Sequence, residues 1–565
     1  MNIINRKSFL GLVAGSLLSL ASCDVMDLDP TGWYGEDVTY SSIDKLDLYV
    51  KGLYGVMYSN ADIANGYIMD DGVSELVKYS WWGDKGQVNR AFYDPNYVTV
   101  TSNYRSNWSS MYTHIRTLNE YFYDISQGYG SDLDQEAVKI RTAEVRFLRA
   151  YAYQELVIRH GGVVLRIEED YVDGPEERAK ARSSKNDCWD FIISEYTKAA
   201  ADLPLKWDSA NTGRITRGAA IAMKARAALY AERWSDAVDA VDDVMELNQY
   251  SLLPGTTYND YNRIFTNPTN SELILPVYFQ QSTGNASAKQ HMFNSYFCAP
   301  GDDVALGIAN AGVGVTATPS DEWASMFDIK VNGEYQTFDW ADLDAYGNEP
   351  FLGREPRFYS SILYNGASWL GRTLDLTVES DNYMDWDTSG QDNVHKTVTG
   401  YVFRKYLSDS KSINFTSILS GQYWIEMRLA ELYLIRSEAN ARQMFFDKAY
   451  ADLNTIRTRV GLPEAEVKGD WDSYLVDLSK ERACELGLEG HRYFDLVRWG
   501  IADETLNNTR LHGIRMTKND DGTINYERVE CDSQDRLFPA RMGIYPIPYS
   551  ELQNNTLCEQ NPEWL

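Results

Sequence analysis

The sequence contains few of the residues from which metal centres and disulfide frameworks are built. It has 6 cysteines and 6 histidines in 565 residues, and no CxxC or HExxH motif occurs. Zinc sites need such closely spaced ligands, and disulfide-bonded domains need many cysteines. No GxSxG, Walker A or GxGxxG motif occurs either. These absences argue against zinc, serine-hydrolase, P-loop and dinucleotide chemistry, and we expect no metal and no cofactor.

Positive charge and long apolar runs are also scarce. Acidic residues outnumber basic ones by 82 to 53, which gives a formal net charge of -29. A nucleic-acid partner needs a basic surface for its phosphates, so the charge argues against one. After the first twenty residues, no stretch is long and apolar enough for a transmembrane helix. With 44% hydrophobic and 13% aromatic residues, the chain can pack a sizeable core.

The beginning of the chain is typical of a targeting segment followed by a lipidation site. In residues 1–22, a short basic region at 5–7 precedes an apolar stretch at 9–20 that is too short to span a bilayer. The residues Leu-Ala-Ser before Cys23 resemble a bacterial lipobox, so we predict that Cys23 carries lipid and anchors the mature protein in a membrane. The alternative is an ordinary secretory signal with a chance cysteine. We interpret residues 23–40 as a tether.

Helical periodicity dominates most of the remaining chain. Two segments echo each other at a constant offset of 212 residues: Ala227 and Trp234 correspond to Ala439 and Phe446. In each segment, a helix rich in small residues meets a second helix that opens on an aromatic, the pattern of a tetratricopeptide-like (TPR-like) hairpin. We therefore predict a mostly α fold on a TPR-like helical scaffold. The predicted helices cover residues 41–59, 108–122, 137–158, 186–202, 215–231 and 234–248.

A different pattern interrupts the helices between residues 276 and 424. Helical periodicity fades there, and glycine, asparagine, aspartate and aromatic residues become frequent. We predict an irregular, part-β insert that forms the ligand face. It would lie between an N-terminal TPR-like part at residues 41–275 and a C-terminal helical part with closing loops at residues 425–565.

Residues 478–500 mix charged and apolar side chains in an unusual way. Acids and bases recur at three- or four-residue steps, as from Glu485 to Glu489, so each series shares a helix face. Charges packed against aromatics are costly to bury unless they are paired. We interpret the segment as a structural ion-pair network at a helix corner, to which Arg492 and Asp495 belong. A catalytic carboxylate pair is the alternative, although no nucleophile, metal cluster or tuned histidine accompanies it.

Trp81 and Trp82 are the main candidates for ligand contact. Adjacent side chains point in different directions, so two indoles in a glycine-bounded loop cannot easily share one buried face. An exposed indole offers an apolar face to a pyranose ring and an N–H to a hydroxyl. Asp84 and Lys85 supply polar groups close by. The alternative is that both tryptophans anchor the loop on the scaffold.

Aromatic residues of the predicted insert supply further candidates. Tyr296 either lines the binding site or packs inside the protein. Trp340, Trp369 and Trp386 remain open between a loop anchor and a sugar platform, and Trp340 is the one that we include among the candidate ligand contacts. Trp323 follows a helix-start signal, so we expect it in the core.

The charged segment also resembles the signature of the SusD/RagB family. The matching positions are Glu481-Arg482, Glu485-Leu486, Glu489-Gly490, Arg492, Asp495-Leu496, Arg498 and Gly500. The resemblance extends to residues 353–358 and to the C-terminal end. It implies a SusD-like fold and a surface lipoprotein that captures nutrients, mostly glycans, without catalysis. It also implies a partner, a SusC-like TonB-dependent transporter of the outer membrane.

Two local features bear on what this resemblance implies. Acidic residues after Cys23 resemble the surface-export signal of Bacteroidetes lipoproteins, so we expect a lipid-anchored protein on the outer cell surface. Trp82 and Asp84 best match the tryptophan and polar residue that contact glucan in starch-binding relatives, but the polar residue differs. Residues 307–315 also lack the tryptophan that those relatives have there.

Three alternative functions remain open at this stage. Peptide capture, as in the RagB branch, would use the same fold. A glycoside hydrolase is conceivable because an acidic protein contains many Asp and Glu pairs. A TPR-like scaffold also suits a protein-interaction adaptor.

Overall fold

A computed structural model gives the fold of the protein. It describes residues 35–64, 69–80, 94, 96, 98–103, 106–167, 179–281, 289–308, 314–386 and 395–565. Cys23, Trp81, Trp82, Asp84 and Lys85 lie outside the described residues, so what we predict of them remains a prediction.

Helices make up most of the regular structure within the described residues. Numbered α1 to α19 in chain order, they are Glu36–Thr39, Ile43–Leu53, Gly55–Asn60, Trp108–Ser126, Gln135–His160, Lys185–Asp202, Arg217–Tyr230, Trp234–Glu246, Tyr258–Thr266, Phe293–Phe297, Asp302–Ala305, Asp321–Met326, Pro356–Ser361, Leu429–Arg442, Phe446–Arg459, Trp471–Leu486, Arg492–Trp499, Ala502–Leu506 and Tyr549–Asn554. Short 3-10 segments occur at Asp62–Ala64, Asp71–Val73, Ser209–Asn211, Trp340–Tyr346, Ala540–Gly543 and Pro562–Trp564.

The strands are short and form two-stranded antiparallel ribbons. Numbered β1 to β12, they are Val77–Tyr79, Leu273–Val277, Ala317–Pro319, Ile329–Val331, Glu334–Gln336, Ile362–Leu363, Ser368–Trp369, Arg372–Thr373, Val402–Phe403, Trp424–Arg428, His512–Lys518 and Ile524–Glu530. The pairs are β1 with β3, β2 with β10, β4 with β5, β6 with β9, β7 with β8 and β11 with β12. Seven of these strands fall between residues 276 and 424, so the predicted part-β insert is confirmed.

The scaffold is a continuous stack of helices. Consecutive members pack in the order α4, α5, α6, α7, α8, α14 and α15. The hairpin of α7 with α8 therefore lies directly against the hairpin of α14 with α15, although nearly two hundred residues separate them in sequence. The small residues Ala227 and Ala439 are fully buried at these contacts. The predicted TPR-like scaffold is confirmed.

The predicted helix at residues 41–59 is divided into α2 and α3 at Tyr54. The hydroxyl of Tyr54 donates to Glu144 Oε2 at 2.5 Å and accepts the N–H of Ile215 at 3.0 Å. Gly55 follows directly, and glycine is a poor residue inside a helix. The break, which periodicity did not reveal, thus lies at a residue whose side chain is bonded to two distant segments.

Gly487 ends α16 at the beginning of the corner between α16 and α17. A Cβ atom there would lie 2.6 Å from Ala483 O and 2.6 Å from Trp323 Cζ2. The indole of Trp323 is fully buried and donates to Ala483 O at 2.9 Å. Glycine is therefore required where the indole meets the helix end, and the predicted core position of Trp323 is confirmed.

Two further features concern the described part of the chain as a whole. None of its helices is long and apolar enough to cross a membrane. The cysteines in it are all buried and free, at Cys188, Cys298, Cys484, Cys531 and Cys558.

Candidate functional site

Ser80 is the last described residue before the Trp81-Trp82 stretch. It is buried and continues β1, whose residues pair with β3. The N–H of Ser80 donates to Thr316 O at 2.9 Å, and its hydroxyl donates to Val315 O. The chain that leads to the two tryptophans is thus fixed against the segment that precedes β3.

Tyr296 lies on the other side of the same segment. It belongs to α10, is half-buried and packs edge-on against Phe297 with ring centroids 6.4 Å apart. Its carbonyl accepts the N–H of Thr316 at 2.8 Å, and the carbonyl of Ser295 accepts the N–H of Gly314 at 3.0 Å. The backbone of Thr316 therefore bridges Ser80 and Tyr296.

We call these three residues, Ser80, Tyr296 and Thr316, the Ser80–Tyr296 junction. Four of the predicted site residues, Trp81, Trp82, Asp84 and Lys85, follow Ser80 in the sequence. The structure places a fifth, Tyr296, close to Ser80. This proximity is a consequence of the β1–β3 pairing, which joins residues more than two hundred positions apart. The sequence alone gave no sign of that pairing.

Charge holds the strand before the two tryptophans in place. Lys78, in β1, is fully buried and its Nζ lies 2.6 Å from Asp532 Oδ1. The Nε of Arg536 contacts the other oxygen of Asp532 at 2.8 Å. Burial alone would raise the pKa of Asp532, but Arg536 and Lys78 outweigh it and hold that pKa below its usual range. Sequence reasoning missed this pair because its members lie at opposite ends of the chain.

Trp340 belongs to a different group of contacts. It is half-buried, and its indole N–H donates to Asp321 Oδ2 at 2.8 Å. The ring packs edge-on against Phe338 with centroids 5.3 Å apart. Asp321 is fully buried and also accepts from Arg528 at 2.6 Å and from Tyr401 at 2.9 Å. The indole N–H of Trp340 is therefore already used in a hydrogen bond within the protein.

Two other tryptophans of the insert are loop anchors. Trp369 is buried and donates to Asp302 Oδ2 at 3.1 Å. Trp386 is buried under Lys78, whose Nζ lies 3.4 Å from the ring centroid. Burial leaves neither indole with an open face for a sugar ring.

The charged segment at residues 478–500, which we call the signature segment, forms a dense, buried ion-pair network. Glu485 is fully buried, and its oxygens lie 2.6 Å from Arg428 Nη1 and 3.2 Å from Arg357 Nη1. Arg459 pairs with the same carboxylate. Burial would raise the pKa of Glu485, but these three guanidinium groups hold it well below its usual range.

The second half of the segment is paired in the same way. Asp495 is buried, with Oδ2 2.7 Å from Arg482 Nε and Oδ1 2.7 Å from Arg498 Nη2. Arg492 extends to Glu75 instead, with Nε 2.8 Å from Oε1. The predicted ion-pair network is confirmed. Because Arg482 and Arg498 keep Asp495 ionised, it does not provide the raised-pKa acid of a glycosidase pair.

The described residues contain no group of three or more histidine, cysteine, aspartate or glutamate side chains arranged to hold a metal ion.

Two family models together match most of the chain. A model of the SusD family matches residues 248–564. A second model, described as starch-binding associating with outer membrane, matches residues 34–229.

Relatives named SusD-like proteins match over most of their length. One from Formosa agariphila, SusD-like protein P25, is 23% identical, and the match covers 86% of this chain and 88% of the relative. A SusD-like protein from Bacteroides ovatus is also 23% identical, and the match covers 99% of this chain and 98% of the relative.

Solved structures share the fold. A SusD-like protein from Bacteroides fragilis has a TM-score of 0.78 at 26% identity, covering 94% of this chain and 98% of its own. A SusD-like carbohydrate-binding protein from the same species has a TM-score of 0.71 at 21% identity, covering 92% and 99%. A laminarin-binding SusD-like protein has a TM-score of 0.61 at 21% identity, covering 92% and 99%.

Proposed function

The chain belongs to the SusD family, and from that premise we propose that it binds an extracellular oligo- or polysaccharide at the cell surface and delivers it, without catalysis, to a SusC-like TonB-dependent transporter. The family match over residues 248–564 is the observation that carries this proposal. The match at residues 34–229 to a model described as starch-binding supports a glycan as the ligand. So does the likeness to a laminarin-binding SusD-like protein.

The proposed binding site lies at the Ser80–Tyr296 junction. Tyr296 is half-buried there. Ser80 is covalently followed by Trp81 and Trp82, and Asp84 and Lys85 are close in sequence. Aromatic faces combined with charged and hydroxyl groups suit the C–H faces and hydroxyls of sugars. For Trp340, whose N–H is already bonded to Asp321, the remaining contribution to a site is its ring face.

The membrane part of the proposal concerns the lipid anchor and the partner. Lipidation of Cys23 would hold the protein at the outer face of the outer membrane, where large glycans arrive. The family description that mentions association with the outer membrane supports this location.

Calorimetric titration of the purified mature protein tests the proposed function. Laminarin, starch, other plant and algal polysaccharides and a set of peptides would be titrated in parallel. We expect one polysaccharide to bind, and Tyr296→Ala to weaken it by at least about tenfold, the usual effect of losing an aromatic contact.

Phe445→Ala is the control for the loss of an aromatic ring. Phe445 is 51% exposed at the turn between α14 and α15, at the end of the scaffold. The Phe445→Ala variant should bind the polysaccharide as tightly as the wild type. Binding of peptides with no binding of any polysaccharide would replace the proposal with the RagB-like alternative.

A further inference from the structure

An open cavity of about 220 Å³ lies on the helical scaffold, apart from the junction. It is enclosed by the end of α2, by α3, by the loop after Ser209–Asn211 and by the end of β2. Its walls include the rings of Tyr58 and Tyr278 and the polar residues Lys51, Asn211 and Thr212. We propose that this cavity is a second carbohydrate site, which holds one neutral pyranose ring.

The two tyrosine rings are held in fixed positions. Tyr58 packs edge-on against Phe279, with ring centroids 5.4 Å apart and planes at 90°. The hydroxyl of Tyr278 donates to Pro268 O at 2.5 Å. Both rings are only half-buried, so each keeps an open portion of surface. Rigid, partly exposed aromatic rings are the platforms on which the apolar faces of sugars pack.

Gly213 makes room for this arrangement. It has a φ of +92°, and a Cβ atom there would lie 2.7 Å from Tyr278 Cδ2. Any other residue would push the Tyr278 ring out of its position. The cavity therefore depends on a glycine in direct contact with one of its aromatic walls.

The positive groups around the cavity already pair with carboxylates. Lys51 Nζ lies 2.7 Å from Asp47 Oδ2, and the guanidinium of Arg214 lies 2.6 Å from Glu144 Oε1. Asp47 also contacts Arg214 at 2.5 Å and Arg141 at 2.6 Å. Because each of these cations already pairs with Asp47 or Glu144, an anionic ligand would have to compete with a carboxylate for every one of them, and a neutral ligand fits better.

Hydrogen-bonding groups remain available at the rim. The Thr212 hydroxyl donates to Ser209 O at 3.0 Å, which leaves its oxygen as an acceptor for a sugar hydroxyl. The Lys51 side chain is 47% exposed, and its ammonium has three donors, of which Asp47 needs one. A donor and an acceptor beside aromatic rings match the surface of a pyranose.

The cavity is small and lies apart from the junction. Its volume is below the roughly 300–1,000 Å³ of pockets for drug-sized ligands, so it suits a single ring. Between Tyr58 and Tyr296 lie other aromatic rings in successive contact, namely Phe279, His291, Phe293 and Phe297. The choice of a sugar as the ligand rests on the proposed function. The geometry of the cavity does not depend on it.

Saturation-transfer difference NMR on the mature protein tests this site, because it detects weak ligands of a large protein. The probes are the methyl glycosides of glucose, galactose, mannose and N-acetylglucosamine, together with methyl glucuronide as an anionic probe. We expect at least one neutral glycoside to bind, and methyl glucuronide to bind less well. Tyr58→Ala should weaken the neutral glycoside by at least about tenfold.

A second variant is needed because Tyr58 also packs inside the protein. Thr212 is exposed, so Thr212→Trp can fill the cavity from its rim without disturbing the core, and it should abolish the signal. Tyr549→Ala replaces a tyrosine that is 47% exposed and does not line the cavity, and it should leave the signal unchanged.

The outcomes separate this proposal from the proposed function. If a folded Thr212→Trp protein gives the wild-type signal, or if none of the neutral glycosides binds, the cavity is not a sugar site. If Tyr296→Ala abolishes the glycoside signal and Thr212→Trp does not, sugar binds only at the junction and this proposal is wrong. If the cavity variants lose the glycoside signal while Tyr296→Ala binds polysaccharide normally, the cavity site holds and the junction fails.

Discussion

Arg482 and Asp495 meet across the break between α16 and α17 in a two-pronged contact. Nε of the arginine lies 2.7 Å from Oδ2 of the aspartate, and Nη2 lies 3.1 Å from Oδ1. Both side chains are at most 2% exposed. A planar guanidinium facing a carboxylate in this way fixes the angle between two helices as well as neutralising a buried charge. The signature segment therefore shapes the scaffold on which the candidate sites lie.

The first prediction concerns the stability of this corner. Asp495→Ala leaves two arginines without their shared buried partner, so we expect the free energy of unfolding to fall by about 3–5 kcal/mol. Chemical denaturation would measure the loss. Asp535→Ala breaks an ion pair in which the aspartate is 55% exposed, and such pairs contribute about 1 kcal/mol or less. An unchanged midpoint for Asp495→Ala, with ligand binding lost, would assign Asp495 to a binding site instead.

A second prediction concerns acid stability. Arg482 and Arg498 outweigh the effect of burial and lower the pKa of Asp495 to about 2 from its ordinary 3.8. Because the folded-state pKa is depressed, the stabilisation is complete above about pH 4 and is lost as the pH falls towards 2. We expect the unfolding free energy of the wild type to fall more steeply than that of Asp495→Asn between pH 4 and 2. Parallel profiles in urea titrations would contradict this.

Asp71 gives a third prediction, with the opposite sign. Its oxygens accept the N–H of Arg492 at 2.7 Å and of Gly490 at 3.2 Å, and burial raises its pKa to about 7. Between the ordinary pKa of 3.8 and this raised value, Asp71 is ionised in the unfolded chain but protonated in the fold, so stability should fall as the pH rises from about 4 to 7. Asp71→Asn cannot ionise, and its stability relative to the wild type should improve over that range. Thermal midpoints at several pH values would show it, and a constant difference would refute it.

The scaffold could be predicted from the sequence because helical periodicity is local. The echo between Ala227 and Ala439 even identified the two hairpins that pack together. Partners distant in sequence could not be predicted in this way. Lys78 pairs with Asp532 and Arg492 pairs with Glu75 only after the chain has folded, and no local pattern around these residues identifies their partners. The cavity around Tyr58 and Tyr278 was missed for the same reason, since it is assembled from separate segments.

The site predictions show the same division. The local sequence pattern identified Trp340 as a candidate, but it could not show that the indole N–H of Trp340 donates to Asp321. Tyr296 was one of many aromatic residues in the predicted insert. The pairing of β1 with β3 gives it significance, because that pairing brings it next to Ser80.

The fourth prediction concerns the membrane anchor. If Cys23 accepts lipid, Cys23→Ala should release the protein from the outer membrane or leave it unprocessed. Fractionation of cells, combined with protease treatment of intact cells, would measure this. Replacing Asp24, Asp27 and Asp29 with alanine is the matched control, because it should keep the lipid and change only surface exposure. Normal surface retention of Cys23→Ala would refute the anchor.

The last prediction concerns Trp82, which adjoins a second tryptophan and is followed by Asp84 and Lys85. If its indole is a platform for the glycan, removing it should weaken binding without unfolding the scaffold, because an exposed ring contributes little to the core. Loss of an aromatic contact at the centre of a site typically costs about 2 kcal/mol or more, which is over tenfold in affinity. We therefore expect Trp82→Ala to weaken glycan binding by at least about tenfold while the thermal midpoint barely moves. Trp81→Ala should show the opposite balance if Trp81 is the inward-facing neighbour. Calorimetric titration of both variants decides between them: normal binding by Trp82→Ala with loss in Trp81→Ala would reverse the pair, and normal binding by both would remove this stretch from the site.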